Sequence, residues 1–197
     1  MNIFKTALAA TLLAAGCASA TTIDFEQANG MPGGVAGGVT INTQGFTFTD
    51  ATSIIDIADG SVWSGNGPAH SGSYAALAEM SPMITMTATN AGVFSLQSFW
   101  IHGFEGYATA GSVTGYLNGV EAGSLLFSIT DSWQNIAANF GQVDLIVFNA
   151  DDAYMVDDIG ATINAGAVPE PGSIALFGLG LAGLAGATRH RRAAGKR

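Results

Sequence analysis

The stretch Ser112-Val113-Thr114-Gly115-Tyr116-Leu117-Asn118-Gly119-Val120-Glu121-Ala122-Gly123-Ser124-Leu125-Leu126-Phe127-Ser128-Ile129-Thr130 decides the fold class. Asn118-Gly119 is a hairpin signal, because both central residues of a type I′ turn need positive φ. Beyond it Leu125, Phe127 and Ile129 alternate with Ser124, Ser128 and Thr130, so one face of that strand belongs to a core. Working outward, short runs rich in Val, Ile, Phe, Tyr and Thr continue in both directions, separated by turn residues. The expected strands are Thr22–Phe25, Phe46–Thr49, Ser53–Ile57, Tyr74–Ala78, Met83–Thr89, Val93–Phe104, Ser112–Leu117, Ser124–Thr130, Val143–Phe148 and Tyr154–Ile163. Roughly ten strands with little helical periodicity predict an all-β fold, a two-sheet β-sandwich of the jelly-roll kind. Asn29-Gly30 and Asp59-Gly60 are weaker turn signals, and Met31–Gly38 and Ser61–Gly72 read as Gly-rich loops. In Val93–Phe104, Phe94, Leu96, Trp100 and Phe104 share one phase while Phe99 and Ile101 take the other. Either a bulge shifts the register or both faces are covered.

Charge position narrows the function. The chain has 197 residues and a formal charge of 6 − 15 = −9. Its basic residues are Lys5, Arg189, Arg191, Arg192, Lys196 and Arg197, so none lies between Thr21 and Thr188, where all fifteen carboxylates fall. A body of one negative sign repels phosphate backbones and anionic headgroups, so nucleic acid is excluded as its partner. P-loop chemistry, Schiff-base lysines and arginine clamps are excluded with it.

The ends are addresses. Residues 1–20 read as a signal peptide: Lys5, an apolar run from Ala7 to Ala15, and Ala18-Ser19-Ala20 as the cleavage site. A buried N-terminal helix is the alternative. Cys17 after Ala14-Ala15-Gly16 offers a second route, lipid modification, although that motif wants a Leu-like residue at Ala14. At the other end Val168-Pro169-Glu170-Pro171 precedes an uncharged run from Gly172 to Thr188, closed by Arg189, Arg191 and Arg192. At 1.5 Å per residue that run reaches roughly 25 Å, the short side of a single membrane-spanning helix. The basic end favours the cytoplasmic side, which leaves the body outside. The expected division is therefore a signal peptide (1–20), a β-sandwich (21–165) and a sorting signal (166–197).

This tripartite tail resembles the PEP-CTERM sorting signal of exported Gram-negative proteins. The resemblance implies recognition by an exosortase, an integral-membrane cysteine protease, and cleavage near Val168, Pro169, Glu170 and Pro171. Before processing the protein is expected in the inner membrane, and afterwards at the cell surface or outside the cell. It also implies membership of a set of surface or secreted proteins in bacteria that make exopolysaccharide. A single-pass anchor that is never cut is the alternative.

The last strand carries the sharpest chemical inference. Met155, Asp157, Ile159, Ala161 and Ile163 occupy alternate positions, so an apolar inward face takes Asp157 with it. A buried carboxylate must be paired, hydrogen-bonded or neutralised, and the body offers neither Lys nor Arg. Backbone N–H groups, protonation and a hard cation such as Ca²⁺ remain open. The terminal stretches Ile23-Asp24-Phe25-Glu26 and Met155-Val156-Asp157-Asp158-Ile159 resemble the end strands of galactose-binding-like jelly rolls, carbohydrate-binding modules among them. That resemblance implies a structural Ca²⁺ held by Glu26 and Asp157, with Asp158 and Asp24 as further ligands. Asp151-Asp152 reads as a solvated turn.

No catalytic constellation is framed. The body has His70 and His102 and, after cleavage, no cysteine. His70-Ser71-Gly72-Ser73 places a base beside hydroxyls, but adjacent loop residues rarely form a nucleophile–base pair. Two histidines without ligand spacing argue against zinc. His102 reads as a strand-end packing residue, and nothing pairs Glu79, Glu105 or Glu121 as glycosidase carboxylates. The expectation is a protein that is not an enzyme. Exposed aromatic faces flanked by polar groups suit sugar stacking. Trp63 and Trp133, each in a polar loop, are the candidate ligand-binding residues, with loop anchoring as the alternative; Trp100 is expected in the core. The functional expectation is a surface or matrix protein that binds extracellular polysaccharide. A purely structural matrix component comes second and a secreted glycan hydrolase third.

Overall fold

The computed structural model describes residues 19–27, 40–50, 52–56, 67–78 and 83–164. Residues 1–165 form one compact unit and 166–197 another. Trp63, Cys17 and the tail residues Val168, Pro169, Glu170, Pro171, Arg189, Arg191 and Arg192 lie outside the described residues, as do Glu79 and Lys5. No helix among the described residues is long and apolar enough to cross a membrane; the expected C-terminal span lies outside them.

Twelve strands appear among the described residues: β1 Ser19–Ile23, β2 Ile41–Thr43, β3 Phe46–Asp50, β4 Thr52–Asp56, β5 Tyr74–Ala78, β6 Met83–Ala88, β7 Phe94–Gly103, β8 Ala110–Leu117, β9 Val120–Ser128, β10 Gln134–Val143, β11 Leu145–Ala150 and β12 Tyr154–Ile163. They form two antiparallel sheets. One runs β10-β7-β12-β5-β4, with β1 also on β12; the other runs β2-β3-β6-β11-β8-β9. This is the expected jelly-roll sandwich. Its first and last strands meet, with Ile23 opposite Ile159 and Thr21 opposite Ala161. Asn118 (φ 53°) and Gly119 (φ 75°) make the turn between β8 and β9, as the sequence predicts.

The inner faces close over Phe46, Phe48, Phe94, Phe99, Phe148, Ile84 and Ile146, all buried. Phe99 meets Phe127 and Phe148 edge-on, and Phe46 meets Phe94 likewise, the arrangement aromatic quadrupoles favour. Two expected features of phase are settled by bulges. In β7 an extra residue near Gln97 shifts the register on β12 between Ser98 and Leu96, so Phe94 and Leu96 join Phe99 and Ile101 on the inner face. In β12 Asp158 has φ 43° and, with Ile159, opposes a single residue of β7.

The second bulge corrects the expected alternation of the last strand. Before it, Tyr154 and Val156 face the main core; after it, Ile159 and Ala161 do. Met155 therefore belongs to a second, smaller cluster with Ile55, Ala75, Leu77, Phe104 and Ala153, on the outer side of this sheet. Asp157, in phase with Met155, is buried on that outer side, not in the sandwich interior.

Candidate functional site

Where β12 bulges, its edge changes neighbour: Tyr154–Val156 pair with β5, and Ile159–Ile163 pair with β1. The segments entering these strands meet over the gap. Asp157 is 0% exposed. Its Oδ1 accepts from the Asp158 N–H (2.8 Å) and its Oδ2 from the Ser71 N–H (3.0 Å). Burial is the main cause that pushes its pKa up to about 8; the backbone donors oppose the rise and the neighbouring Asp158 charge adds to it. Asp158 takes His70 Nδ1 at 2.6 Å on one oxygen and the Ser71 hydroxyl at 2.8 Å on the other. The His70 ring stacks on Trp100 with centroids 3.6 Å apart. Trp100 is thus half-buried against the outer face, a correction to its expected place in the core.

Glu26 braces the same loop. Its Oε1 accepts the N–H groups of Ser73 (2.7 Å) and Tyr74 (2.8 Å). Gly72 has φ +59°, and a Cβ there would stand 2.3 Å from Glu26 Oε1, so the brace and the glycine require each other. Asp24 turns elsewhere: its Oδ1 accepts the Glu26 N–H and Gln44 Nε2. Among the described residues no three His, Cys, Asp or Glu side chains stand together in position to hold a metal ion. Glu26, Asp157 and Asp158 do converge on one segment, Ser71–Tyr74. Asp151, expected to be solvated, is exposed yet works as a clamp. Its oxygens accept Thr109 N–H, Thr109 Oγ1 and Ala110 N–H, and these bonds bring its pKa down to about 2.

The remaining outer surface carries a cleft of about 690 Å³ lined by Gly67, Pro68, His102, Glu105, Gly106, Asp131, Ser132 and Trp133. Three chain segments build it. The β7 end is tied to the loop before β10 by the Gly103 N–H to Thr130 carbonyl bond (2.8 Å). A short 3-10 turn, Phe104–Gly106, then presents Glu105 at φ 50°. Trp133 donates its indole N–H to the Pro68 carbonyl (2.9 Å), which pins the third segment. His102 is 7% exposed, lies opposite Met155, and its ring sits 5.3 Å from Trp133. Its Nδ1 is 2.7 Å from the Gly103 carbonyl oxygen and must donate to it, so in the neutral ring Nε2 is left as an acceptor.

Of the sequence-predicted ligand residues, then, Trp133 both walls a cleft and anchors a loop, while Trp63 is outside the described residues. His102, Glu105 and Asp131 join Trp133 there, although the sequence framed none of them as a site. The one available signal was an aromatic loop residue two positions from a carboxylate, Asp131 and Trp133. Glu121 stands in β9, in the other sheet. His70 and Ser71 do not form a nucleophile–base pair, because the Ser71 hydroxyl donates to Asp158, as His70 does.

Comparison with known proteins bears on the tail and the fold. The PEP-CTERM protein-sorting motif matches residues 167–192, so the chain carries that signal, which implies export with a membrane-anchored stage before processing. No curated protein sequence matches the chain. Among solved structures, the CBM22-1 xylan-binding domain of Paenibacillus barcinonensis Xyn10C is similar at 16% identity, with 78% of this chain and 100% of that one covered and a TM-score of 0.46. The K2 cleaved adhesin domain of Lys-gingipain is similar at 14% identity over 75% and 99%, with a TM-score of 0.46. The C-terminal family 22 carbohydrate-binding module of Clostridium thermocellum Xyn10B is similar at 11% over 76% and 95%, with a TM-score of 0.41.

Proposed function

We propose that this is an exported, non-catalytic surface protein that binds extracellular polysaccharide in the Trp133 cleft. One observation carries the reading: an aromatic wall, Trp133, shares a cleft with acceptor groups of His102, Glu105 and Asp131. Sugars present C–H faces to aromatic rings and hydroxyls to acceptors, which is the chemistry such a wall and rim supply. An exosortase would cut near Val168–Pro171, with Arg189, Arg191 and Arg192 holding the tail on the cytoplasmic side, and the body would remain at the surface or leave it. The test is affinity electrophoresis through gels with embedded polysaccharides. Retardation of the wild-type chain that is lost in Trp133→Ala supports the proposal. No retardation on any gel overturns it.

The proposal includes a structural Ca²⁺ at Glu26 and Asp157. Among the described residues Glu26 accepts the Ser73 and Tyr74 N–H groups on Oε1 alone, and the Asp157 carboxylate takes backbone N–H groups from Ser71, Asp158 and His70, which leaves lone pairs on both side chains. These are hard oxygen donors, and a cation there would relieve the buried charge of Asp157; backbone carbonyls would have to complete the shell. Melting that is unchanged between Ca²⁺ and EDTA would remove this part. The second reading, a structural matrix component, is favoured by the indole N–H of Trp133 being spent on Pro68. That reading predicts no saturable glycan binding at all.

A further inference from the structure

Among the described residues β9 pairs with β8 and with no other strand. The Ile129 N–H donates to the Thr109 carbonyl (2.9 Å), and Phe127 opposite Gly111 and Leu125 opposite Val113 continue that register. In an antiparallel ladder only alternate residues bond to a given neighbour, so Gly123, Leu125 and Phe127 serve β8. The backbone groups of Ser124, Leu126 and Ser128 point the other way. The Ser128 carbonyl confirms the direction, because it accepts Gln134 Nε2. Its N–H, with the N–H and carbonyl groups of Ser124 and Leu126, is left to pair outward.

Proteins guard such edges with charge, proline, bulges or short strands. Here β2 has three residues, β4 ends in Asp56, and β10 breaks register twice. On β1 the Thr22 carbonyl is taken by Gln44 Nε2. β9 has one bulge, at Ala122, and then runs straight from Gly123 to Ser128. No charged residue lies between Glu121 and Asp131, and Leu126, at the middle of the outward groups, is 80% exposed. Those outward residues, Ser124, Leu126 and Ser128, read the same in both directions. A two-fold axis at Leu126 therefore makes the edge complementary to itself, as an isologous contact requires. The Leu126 N–H groups and carbonyls bond reciprocally, each Ser128 N–H meets the opposing Ser124 carbonyl, and the two Leu126 side chains touch. We propose that β9 is a self-association edge, through which a second copy of this chain adds antiparallel and joins two sheets into one. An edge this short buries less than the ~1,200 Å² of a stable interface, so the pairing is weak. Two bodies of the same negative sign also repel, so salt strengthens it.

The test is sedimentation equilibrium of the full-length chain in a mild non-ionic detergent, at protein concentrations up to about 1 mM, where weak pairing registers. The wild-type chain should show a monomer–dimer equilibrium that tightens as salt rises. Leu126→Pro removes the central donor at an edge position whose N–H faces outward, where a sheet accepts proline. It should weaken the dimer at least about tenfold, since both Leu126 N–H bonds are lost. Leu126→Cys, in a Cys17→Ser background, should form a disulfide between copies under a mild oxidant. Hydrogen-bonded antiparallel partners have Cα atoms about 5.5 Å apart, within disulfide reach. Val120→Cys, comparably exposed at 69% but at the far end of β9, should not cross-link. Circular dichroism checks that each variant is folded; if Leu126→Pro is not, the cysteine pair decides alone. A chain that stays monomeric at every concentration and salt overturns the proposal. So does a dimer unchanged in folded Leu126→Pro, because association then runs through another surface. Cross-linking of Val120→Cys as fast as of Leu126→Cys overturns it too.

Discussion

Asp157 allows a prediction whose sign changes with pH. In the fold its pKa rises from 3.8 to about 8, chiefly because burial disfavours the charged form. Between those values the folded protein binds more protons than the unfolded chain, so the unfolding free energy falls as pH rises. The penalty is absent below the unfolded pKa and complete above the folded one. Roughly four pH units at about 1.4 kcal/mol each set a ceiling of about 6 kcal/mol. Asp157→Asn removes the ionisation and keeps the shape. Its amide oxygen can accept one of the two N–H groups from Ser71 and Asp158, and its NH₂ group must face the other. That mismatch costs about 1–3 kcal/mol at every pH. The variant should therefore be less stable than wild type near pH ~4 and more stable above pH ~8. Urea melts followed by tryptophan fluorescence in EDTA, at several pH values across that range, give the two curves. Parallel curves would refute the reasoning, because they would mean that Asp157 titrates alike in both states. Repeating the series in excess Ca²⁺ separates the cation from protonation: a bound ion should flatten the wild-type curve by keeping the carboxylate charged.

Two further substitutions probe the packing around this site. Gly72→Ala forces a Cβ to within 2.3 Å of Glu26 Oε1 at a residue with φ +59°. The left-handed strain and the loss of the Glu26 brace should together lower stability by about 2–4 kcal/mol; an unchanged urea midpoint would show that the brace is absent in solution. Tyr154 is fully buried and its hydroxyl has no hydrogen-bond partner among the described residues. Tyr154→Phe should be neutral or stabilising by about 1 kcal/mol, and a clear loss in the same melts would mean that the hydroxyl oxygen is bonded, for instance by the Ile84 backbone N–H.

Much of the sandwich was legible because its signals are local. Asn118-Gly119 fixes a turn through two positive φ angles, and Tyr154–Ile163 has the expected bounds because β-branched and aromatic residues fill it. β10 escaped notice because Gln134–Val143 is built largely from Gln, Asn, Ala and Gly, residues with weak strand preference. It is an edge strand paired on one side, bent at Asn139 (φ 51°) and held by β7. The burial of Asp157 was legible from its place among alternating apolar residues, but its face was not. Alternation from Met155 to Ile163 assumes a constant register, and the left-handed Asp158 breaks it. The cleft was least legible of all. It depends on bringing Phe104–Gly106 beside Asp131–Trp133 and on spending the Trp133 N–H on Pro68, and no sequence spacing encodes either.

The most direct measurement is an NMR titration of the isotope-labelled chain with the polysaccharide fragment that retards it most in gels. Binding in the cleft predicts saturable shifts at the Trp133 indole N–H, the His102 ring and the amides of Glu105, Gly106 and Asp131, with the β9 residues Ser124 and Leu126 of the other sheet unmoved. Shifts confined to β8 and β9, or a tight complex that leaves Trp133 and His102 unchanged, would contradict it.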